Sequence, residues 1–172
     1  MIENGYGVAL RELSLDRLNL YRTNRNDYQV WRWCRQKSLI DRLQHEGWFE
    51  RQSADPTIQM FEVVKDSEVV GVCGFTDIDY HSQRAEFSLY IFPSCVKKGY
   101  GSEALKTLVK FGFEELNFNM IWGECIGDNP AQRLFKRVGF EYTGFRPAMY
   151  FKGGLWQTAH MYCLLRSNWQ PS

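Results

Sequence analysis

The arrangement of apolar and polar residues changes along the chain and predicts both strands and helices. Alternating or short apolar runs bounded by turn residues are typical of strands. They occur in seven segments: 8–13, 59–64, 68–79, 84–91, 120–125, 141–151 and 157–165. Lys65-Asp66-Ser67 and Gly153-Gly154 each separate two of these segments, so we expect a hairpin at both places.

Helical spacing of apolar residues dominates the remaining regions. Residues 17–51 form a helix-rich stretch, and residues 102–116 carry apolar side chains at intervals of three and four. A further helix is expected between Asn129-Pro130 and Gly139, because these residue types begin and end helices. A strand, a helix and a second strand between 84 and 125 fit a parallel crossover unit. The pattern therefore predicts one mixed α/β domain over residues 1–172.

A glycine-containing loop lies between the strand at 84–91 and the helix that follows. Two glycines one residue apart allow a tight turn with bare backbone N–H groups, and the helix N-terminus adds unpaired N–H groups and positive dipole charge. With two lysines beside them, these features predict a site for phosphate oxygens. The alternative is that the segment is only a turn. The loop reads Val96-Lys97-Lys98-Gly99-Tyr100-Gly101-Ser102.

Composition restricts the possible classes of function. The net charge of +1 gives no general attraction to nucleic acid or to acidic membranes. Five scattered cysteines without a Cys-x-x-Cys pair argue against a disulfide framework and a zinc site, and they suit a reducing cytosol. We find neither an apolar run long enough to span a membrane nor a secretory signal. A cytoplasmic protein without a bound metal is expected.

Several segments, in this order, resemble the GCN5-related N-acetyltransferase (GNAT) family. They are Arg84-Ala85-Glu86-Phe87, Lys98-Gly99-Tyr100-Gly101, Asp128-Asn129-Pro130-Ala131 and Phe135-Lys136-Arg137-Val138-Gly139-Phe140. The closing segment, 150–162, resembles the ribosomal-protein and spermidine acetyltransferase branch. The resemblance implies transfer of an acetyl group from acetyl-CoA to a primary amine by direct attack in a ternary complex. It also implies a mostly antiparallel central sheet with flanking helices, in which one parallel strand pair splays apart around the cofactor.

The resemblance implies cofactor contacts at specific positions. The backbone of the strand before the loop pairs with the pantetheine arm and polarises the thioester carbonyl; this maps onto Leu89, Tyr90 and Ile91. The pyrophosphate loop maps onto Val96, Lys97, Lys98, Gly99, Tyr100 and Gly101, with Ser102 as a further donor. Val96 departs from the family, which has Gln or Arg there. Asn129, Phe135 and Lys136 are also expected to contact the cofactor, although helix capping by Asn129 and a solvated helix face at Lys136 are open alternatives.

Proton transfer requires further candidates. An alkylamine with a pKa of about 10 is almost wholly protonated at neutral pH, so a group must accept its proton. Glu86 is the first candidate for this proton acceptor and Glu124 the second. The alternative is that both are ordinary strand residues that form salt bridges or face solvent. Phe135 stands where the family often has a tyrosine that protonates the departing thiolate. Tyr142 and Cys125 are the candidate replacements, and a thiolate with a pKa of about 8.5 leaves with little help.

The N-terminal half predicts the acceptor site. Between residues 11 and 51 there are nine basic and six acidic residues, which suits an anionic acceptor but is also typical of a solvated surface. Segment 25–49 resembles acetyltransferases that act on nucleotide-linked amino sugars, so such a sugar is the first hypothesis. A protein N-terminus is the second, and the arginines disfavour a polyamine. The predicted acceptor contacts are Arg25, Trp33, His45, Trp48 and Tyr150.

Two further hypotheses concern activity and assembly. A non-catalytic acetyl-CoA-binding sensor is favoured by Val96 and Phe135, because both depart from the family pattern. A homodimer is expected only by analogy with relatives that pair through their last strands. Nucleic-acid binding is disfavoured by the near-neutral charge and the lack of a basic tract.

Overall fold

The computed structural model describes residues 1–3 and 5–170, and within them the chain forms one sheet of eight strands with flanking helices. The strands are β1 (Ile2–Glu3), β2 (Ala9–Glu12), β3 (Gln59–Lys65), β4 (Glu68–Asp79), β5 (Arg84–Ile91), β6 (Met120–Ile126), β7 (Glu141–Lys152) and β8 (Leu155–Leu165). The helices are α1 (Leu18–Asn26), α2 (Tyr28–Trp31), α3 (Arg42–Ala54), α4 (Tyr100–Glu114) and α5 (Ala131–Val138). In the sheet the strands follow the order β1-β2-β3-β4-β5-β6-β8-β7.

The predicted elements are present, with ends that differ by a few residues. The structure adds β1, a two-residue strand whose alternation is too short to detect. The helix-rich stretch divides into α1, α2 and α3. Helix α4 begins at Tyr100 rather than Ser102, because Gly99 adopts a left-handed conformation (φ 90°) at its N-cap. Both hairpins are confirmed: Asp66 and Ser67 have φ of 47° and 70°, as two-residue turns between antiparallel strands require.

The parallel pair β5–β6 splays apart, as the sequence led us to expect. Pairing runs from Arg84 opposite Met120 to Glu86 opposite Trp122, yet both strands continue beyond that point. The Phe87 ring packs against Gly123 of β6: a Cβ atom added to Gly123 would lie 2.4 Å from Cε1 of that ring. The ring therefore needs a glycine opposite it, and the backbone edges of the two strands separate beyond Glu86.

Helices cover both faces of the sheet. On one face, Leu105, Leu108 and other apolar residues of α4 are fully buried, which confirms the predicted apolar stripe. On the other, Leu18 and Tyr21 of α1 pack with Val72 of β4. Side chains alternate across a strand, and Cys73, the neighbour of Val72, belongs to the α4 cluster. Helices α1 and α4 therefore lie on opposite faces.

Among residues 1–3 and 5–170, no helix combines the length and the apolar character that crossing a membrane requires.

Candidate functional site

A cavity of about 800 Å³ lies where β5 and β6 diverge. Its walls come from the diverging strands, the glycine loop with the first turn of α4, the start of α5, and the N-terminal helices with segment 32–40. Fifteen of the residues predicted from the sequence line it together: Glu86, Leu89, Tyr90, Ile91, Val96, Lys97, Gly101, Glu124, Cys125, Asn129, Phe135, Arg25, Trp33, His45 and Trp48. Residues that are far apart in sequence thus converge on one space.

The glycine loop has the backbone geometry of an anion site. Lys97 and Gly99 adopt positive φ of 64° and 90°, so the chain turns sharply before α4 begins. Gly101, in the first helical turn, borders the cavity, and a Cβ atom there would approach Cδ1 of Leu134 to 3.0 Å. The first N–H groups of a helix have no intrahelical partner, so this edge of the cavity offers donors to phosphate oxygens. Lys97 adds a positive charge to the lining.

Other residues predicted to bind the cofactor lie outside the lining. These are Lys98, Gly99, Tyr100, Ser102 and Lys136. Gly99 accepts backbone hydrogen bonds from Ser102 and from Glu103, so it shapes the turn that presents the lining residues. Lys136 lies on α5 and does not line the cavity.

Asn129 and Phe135 line the cavity from the start of α5 and from within it. The Oδ1 atom of Asn129 accepts a hydrogen bond from the backbone N–H of Ala131 at 3.0 Å, so the residue caps the helix while it lines the cavity. Phe135 is buried, with its ring 4.9 Å from that of Phe87 and 5.5 Å from that of Tyr162. Phe135 therefore contributes aromatic packing at this position, without a hydroxyl that could donate a proton.

The two candidate proton acceptors, Glu86 and Glu124, share one guanidinium group. Nη1 of Arg35 lies 3.2 Å from Oε2 of Glu86, and Nη2 contacts Oε1 of the same carboxylate. Nε of Arg35 lies 2.7 Å from Oε1 of Glu124. The carboxylate side chains are 8% and 3% exposed, whereas that of Arg35 is 47% exposed. Arg35 therefore enters from the cavity surface and joins two buried negative charges.

Hydroxyl groups complete this cluster. Thr76 lies within 3.4 Å of Oε2 of Glu86, and the phenol of Tyr150 donates a hydrogen bond to Oε1 of Glu124. Burial, followed by this hydrogen bond, raises the pKa of Tyr150 to about 12. Tyr150 is therefore a neutral donor at physiological pH. It does not line the cavity, although the sequence placed it among the acceptor contacts, and it reaches the site only through Glu124.

Arg35 was not identified from the sequence. It stands in an irregular segment between α2 and α3, among many other arginines, and no spacing distinguishes it from them. Its position is fixed by the far end of the chain: Nζ of Lys152 donates hydrogen bonds to the carbonyl groups of Cys34 and Gln36 and lies 4.1 Å from the centre of the Trp31 ring. Burial lowers the pKa of Lys152. No local pattern encodes such a contact.

The N-terminal helices supply cationic and aromatic groups. The guanidinium of Arg25 lies 5.1 Å from the centre of the Tyr90 ring, and that of Arg32 lies 4.6 Å from the centre of the Trp33 ring. The His45 ring stacks on Trp48 with centroids 5.2 Å apart. Burial, then the charge of a nearby arginine, lowers the pKa of His45, so its imidazole is neutral at pH 7.

The candidate replacements for a proton donor are separated. Tyr142 is 47% exposed and lies outside the lining; its hydroxyl is 3.4 Å from Nδ1 of His160. Cys125 does line the cavity, and burial together with the charge of Glu124 raises its pKa to about 12. Within the described part of the chain, no group of three or more His, Cys, Asp or Glu side chains is arranged to hold a metal ion.

Comparison with known proteins identifies the family. The model of the family described as the acetyltransferase (GNAT) domain matches residues 8–141, which is more than half of the chain. The chain belongs to the GNAT family. Its mixed sheet with a splayed parallel pair is thus a GNAT fold, as the resemblance implied.

Individual relatives place this GNAT domain among bacterial acetyltransferases. It is 33% identical to the N-acetyltransferase YnaD of Bacillus subtilis over 78 residues, or 45% of this chain and 46% of YnaD. The chain thus spans about half the length of such Bacillus relatives. It is 28% identical to the acetyltransferase PseH of Campylobacter jejuni over 130 residues, which cover 75% of this chain and 80% of PseH.

A solved structure shows the same fold. Spermidine N-acetyltransferase from Vibrio cholerae, in a complex with CoA and spermine, superimposes with a TM-score of 0.89. The superposition covers 94% of this chain and 97% of that chain, with 21% sequence identity. At this identity the likeness concerns the fold, and the acceptor of this GNAT domain has to be argued from its own residues.

Proposed function

We propose that the protein transfers the acetyl group of acetyl-CoA directly to a primary amine bound in the same cavity. The observation that carries this proposal is that one continuous cavity is lined by a phosphate-type glycine loop, by the separated strand edges and by two buried carboxylates. A ternary complex needs these three parts within reach of one another. An acyl-enzyme intermediate is disfavoured, because burial raises the pKa of both thiols that line the cavity, Cys34 and Cys125, and makes them poor nucleophiles.

The residues present fit acetyl-CoA, which when bound supplies an acetyl group activated as a thioester. The first turn of α4 and Lys97 would hold its phosphates. Beyond Glu86, β5 has no β6 partner, so its backbone groups on that edge are available to the pantetheine arm. A backbone N–H among Leu89 to Ile91 would then stabilise negative charge on the carbonyl oxygen during transfer.

The proton of the acceptor amine would pass to a carboxylate. Both oxygens of Glu86 accept from Arg35, whereas Glu124 receives from Arg35 and Tyr150 at the same oxygen, Oε1. This pattern favours Glu124 as the immediate proton acceptor, with Glu86 as the residue that holds Arg35. The alternative is that Glu86 takes the proton through a water molecule.

A dedicated proton donor is not needed in this scheme. A thiol whose pKa is about 12 is a weak acid toward a thiolate whose pKa is about 8.5, so Cys125 gives little driving force for protonation. Tyr142 lies outside the lining. We therefore propose that the CoA thiolate leaves unprotonated and takes its proton from solvent.

For the acceptor, we propose a nucleotide-linked amino sugar. Arg25 and Arg32 line the cavity and can pair with a diphosphate, while Trp33 and the stacked His45–Trp48 pair offer flat surfaces for a base or sugar ring. A non-catalytic acetyl-CoA sensor is the second candidate, because Arg35 engages Glu86 and Phe135 has no hydroxyl.

The test combines binding and turnover on one sample. Isothermal titration with acetyl-CoA is followed by a CoA thiol-release assay with UDP- and dTDP-linked amino sugars, ribosomal-protein N-terminal peptides and polyamines. Binding with turnover on the amino sugars supports the proposal, and turnover on another class replaces the proposed acceptor. The double variant Glu86→Gln/Glu124→Gln, expected to bind acetyl-CoA without turnover, is the control. Binding without any turnover would favour the sensor, and no binding would overturn both.

A further inference from the structure

Arg35 occupies the place where a substrate cation would meet the two carboxylates. Its guanidinium contacts both oxygens of Glu86 and one oxygen of Glu124. The carboxylate side chains are almost fully buried, and both residues line the cavity. A positively charged group of the protein itself thus already binds the most acidic part of the cavity.

The charges in this cluster do not balance. Two carboxylates face one guanidinium within hydrogen-bonding distance, and the remaining partners, Thr76 and Tyr150, are neutral hydroxyls. One negative charge is left over. A net negative charge on buried side chains is costly, so the cluster attracts one further cation but has no ionic partner for a second.

We propose that Arg35 determines acceptor specificity by permitting one ammonium group at Glu86 and Glu124 and excluding polyamines. The inference rests on the proposed function for the place where the amine binds. Arg25 and Arg32 extend the same effect, since their positive charges on the cavity lining repel the second and third ammonium groups of a polyamine. A further guanidinium, that of Arg146, acts on Tyr150 through its charge.

The protein holds Arg35 in place through its backbone. Asn26 of α1 accepts from the N–H of Ile40 at 2.9 Å and donates to its carbonyl oxygen at 2.8 Å. Lys152 bonds the carbonyl groups on either side of Arg35, those of Cys34 and Gln36. The side chain itself is 47% exposed, so shortening it removes a charge without emptying the core.

The test measures binding of two amine probes, spermidine and butylamine, by titration in the absence of acetyl-CoA. Arg35→Ala should bind spermidine at least tenfold more tightly than the unmodified protein, because two carboxylates become available to two ammonium groups. Arg35→Lys, which keeps the charge, should stay within twofold of the unmodified protein. Adding Glu124→Gln to Arg35→Ala should remove the gain.

Several results would overturn the inference. One such result is that the unmodified protein already binds spermidine at least tenfold more tightly than butylamine, and this measurement needs no variant. Others are an Arg35→Ala protein without the gain, or a gain that persists with Glu124→Gln. Thermal unfolding and acetyl-CoA affinity report whether Arg35→Ala is folded, and Arg35→Gln replaces it if it is not. This test measures amine binding and not turnover. If it contradicts the role of Arg35, the proposed function is still tested separately by acetyl-CoA titration and thiol release.

Discussion

Lys152, the last residue of β7, donates a hydrogen bond from Nζ to the backbone carbonyl of Gln36, 116 positions earlier, at 2.8 Å. The same ammonium group bonds the carbonyl of Cys34 and lies over the ring of Trp31. The C-terminal hairpin therefore fixes the segment that carries Arg35 into the cavity. The wall of the cavity that we propose binds the acceptor thus depends on contacts between the N-terminal and C-terminal parts of the chain.

Replacing Lys152 with Met should loosen this segment. The variant keeps the aliphatic stem but removes the donors, so amide hydrogen exchange of residues 32–40 should speed up at least tenfold, and the KM for the acceptor should rise while acetyl-CoA affinity is unchanged. Lys65→Met is a matched control, because Lys65 also bonds a loop carbonyl, that of Gly7, at 2.8 Å but away from the cavity. Equal exchange rates of residues 32–40 in both variants would contradict the conclusion that Lys152 fixes this segment.

The two lysines of the glycine loop should differ in their effect on cofactor binding. Lys97 lines the cavity and Lys98 does not, although they are adjacent in sequence. Lys97→Glu should weaken acetyl-CoA binding about tenfold or more, and the deficit should shrink at high salt because the interaction is electrostatic. Lys98→Glu should change the affinity by less than threefold. Titration calorimetry at two ionic strengths measures both, and a larger effect for Lys98→Glu would contradict the placement of the phosphates.

Much of the fold is encoded in local patterns. Strand alternation, the apolar stripe of α4, the turn residues at 66–67 and 153–154 and the left-handed Gly139 at the end of α5 act within a few residues of one another. The separation of β5 from β6 is different. It involves two strands that are distant in sequence, with Phe87 packed against Gly123 36 positions later, and only the family resemblance predicted it.

The site was predictable on one side only. The glycine loop and β5 are contiguous stretches, so their positions followed from the sequence. Arg35 and Lys152 are single charged residues whose partners lie far away along the chain, 51 positions for Arg35 and Glu86. Neither periodicity nor composition reports such pairings. The Arg and Trp content of 17–51 indicated an acceptor wall, yet it gave no reason to select one arginine for the carboxylates.

Acid sensitivity should depend on Glu62. This fully buried carboxylate of β3 accepts hydrogen bonds from Tyr21, Arg17 and Arg11. Burial raises its pKa, but the hydrogen bonds from these three residues outweigh burial, and the pKa of Glu62 is lowered. The ionised Glu62 therefore contributes its full share to the free energy of unfolding above its unfolded-state pKa. This share is lost as the pH falls through its lower folded-state pKa.

Glu62→Gln tests this contribution. The substitution should lower the free energy of unfolding at pH 7 by about 1–3 kcal/mol, because two arginines and a tyrosine lose a charged partner. The difference from the unmodified protein should narrow toward pH 3. Urea unfolding at several pH values measures it, with Glu68→Gln, at an exposed strand end, as the control. A constant difference across pH would show that the charge of Glu62 is not the cause.

The two carboxylates at Arg35 should differ in their effect on turnover. If Glu124 is the immediate proton acceptor, Glu124→Gln should lower kcat about 10²-fold near neutral pH, and Glu86→Gln should lower it less. The deficit of Glu124→Gln should shrink as the pH rises, because the free fraction of an amine with a pKa of about 10 then increases and needs no base. Acetyl-CoA affinity should be unchanged in both variants. A larger loss in Glu86→Gln would return that role to Glu86, and a kcat close to that of the unmodified protein in both would show that neither carboxylate takes the proton.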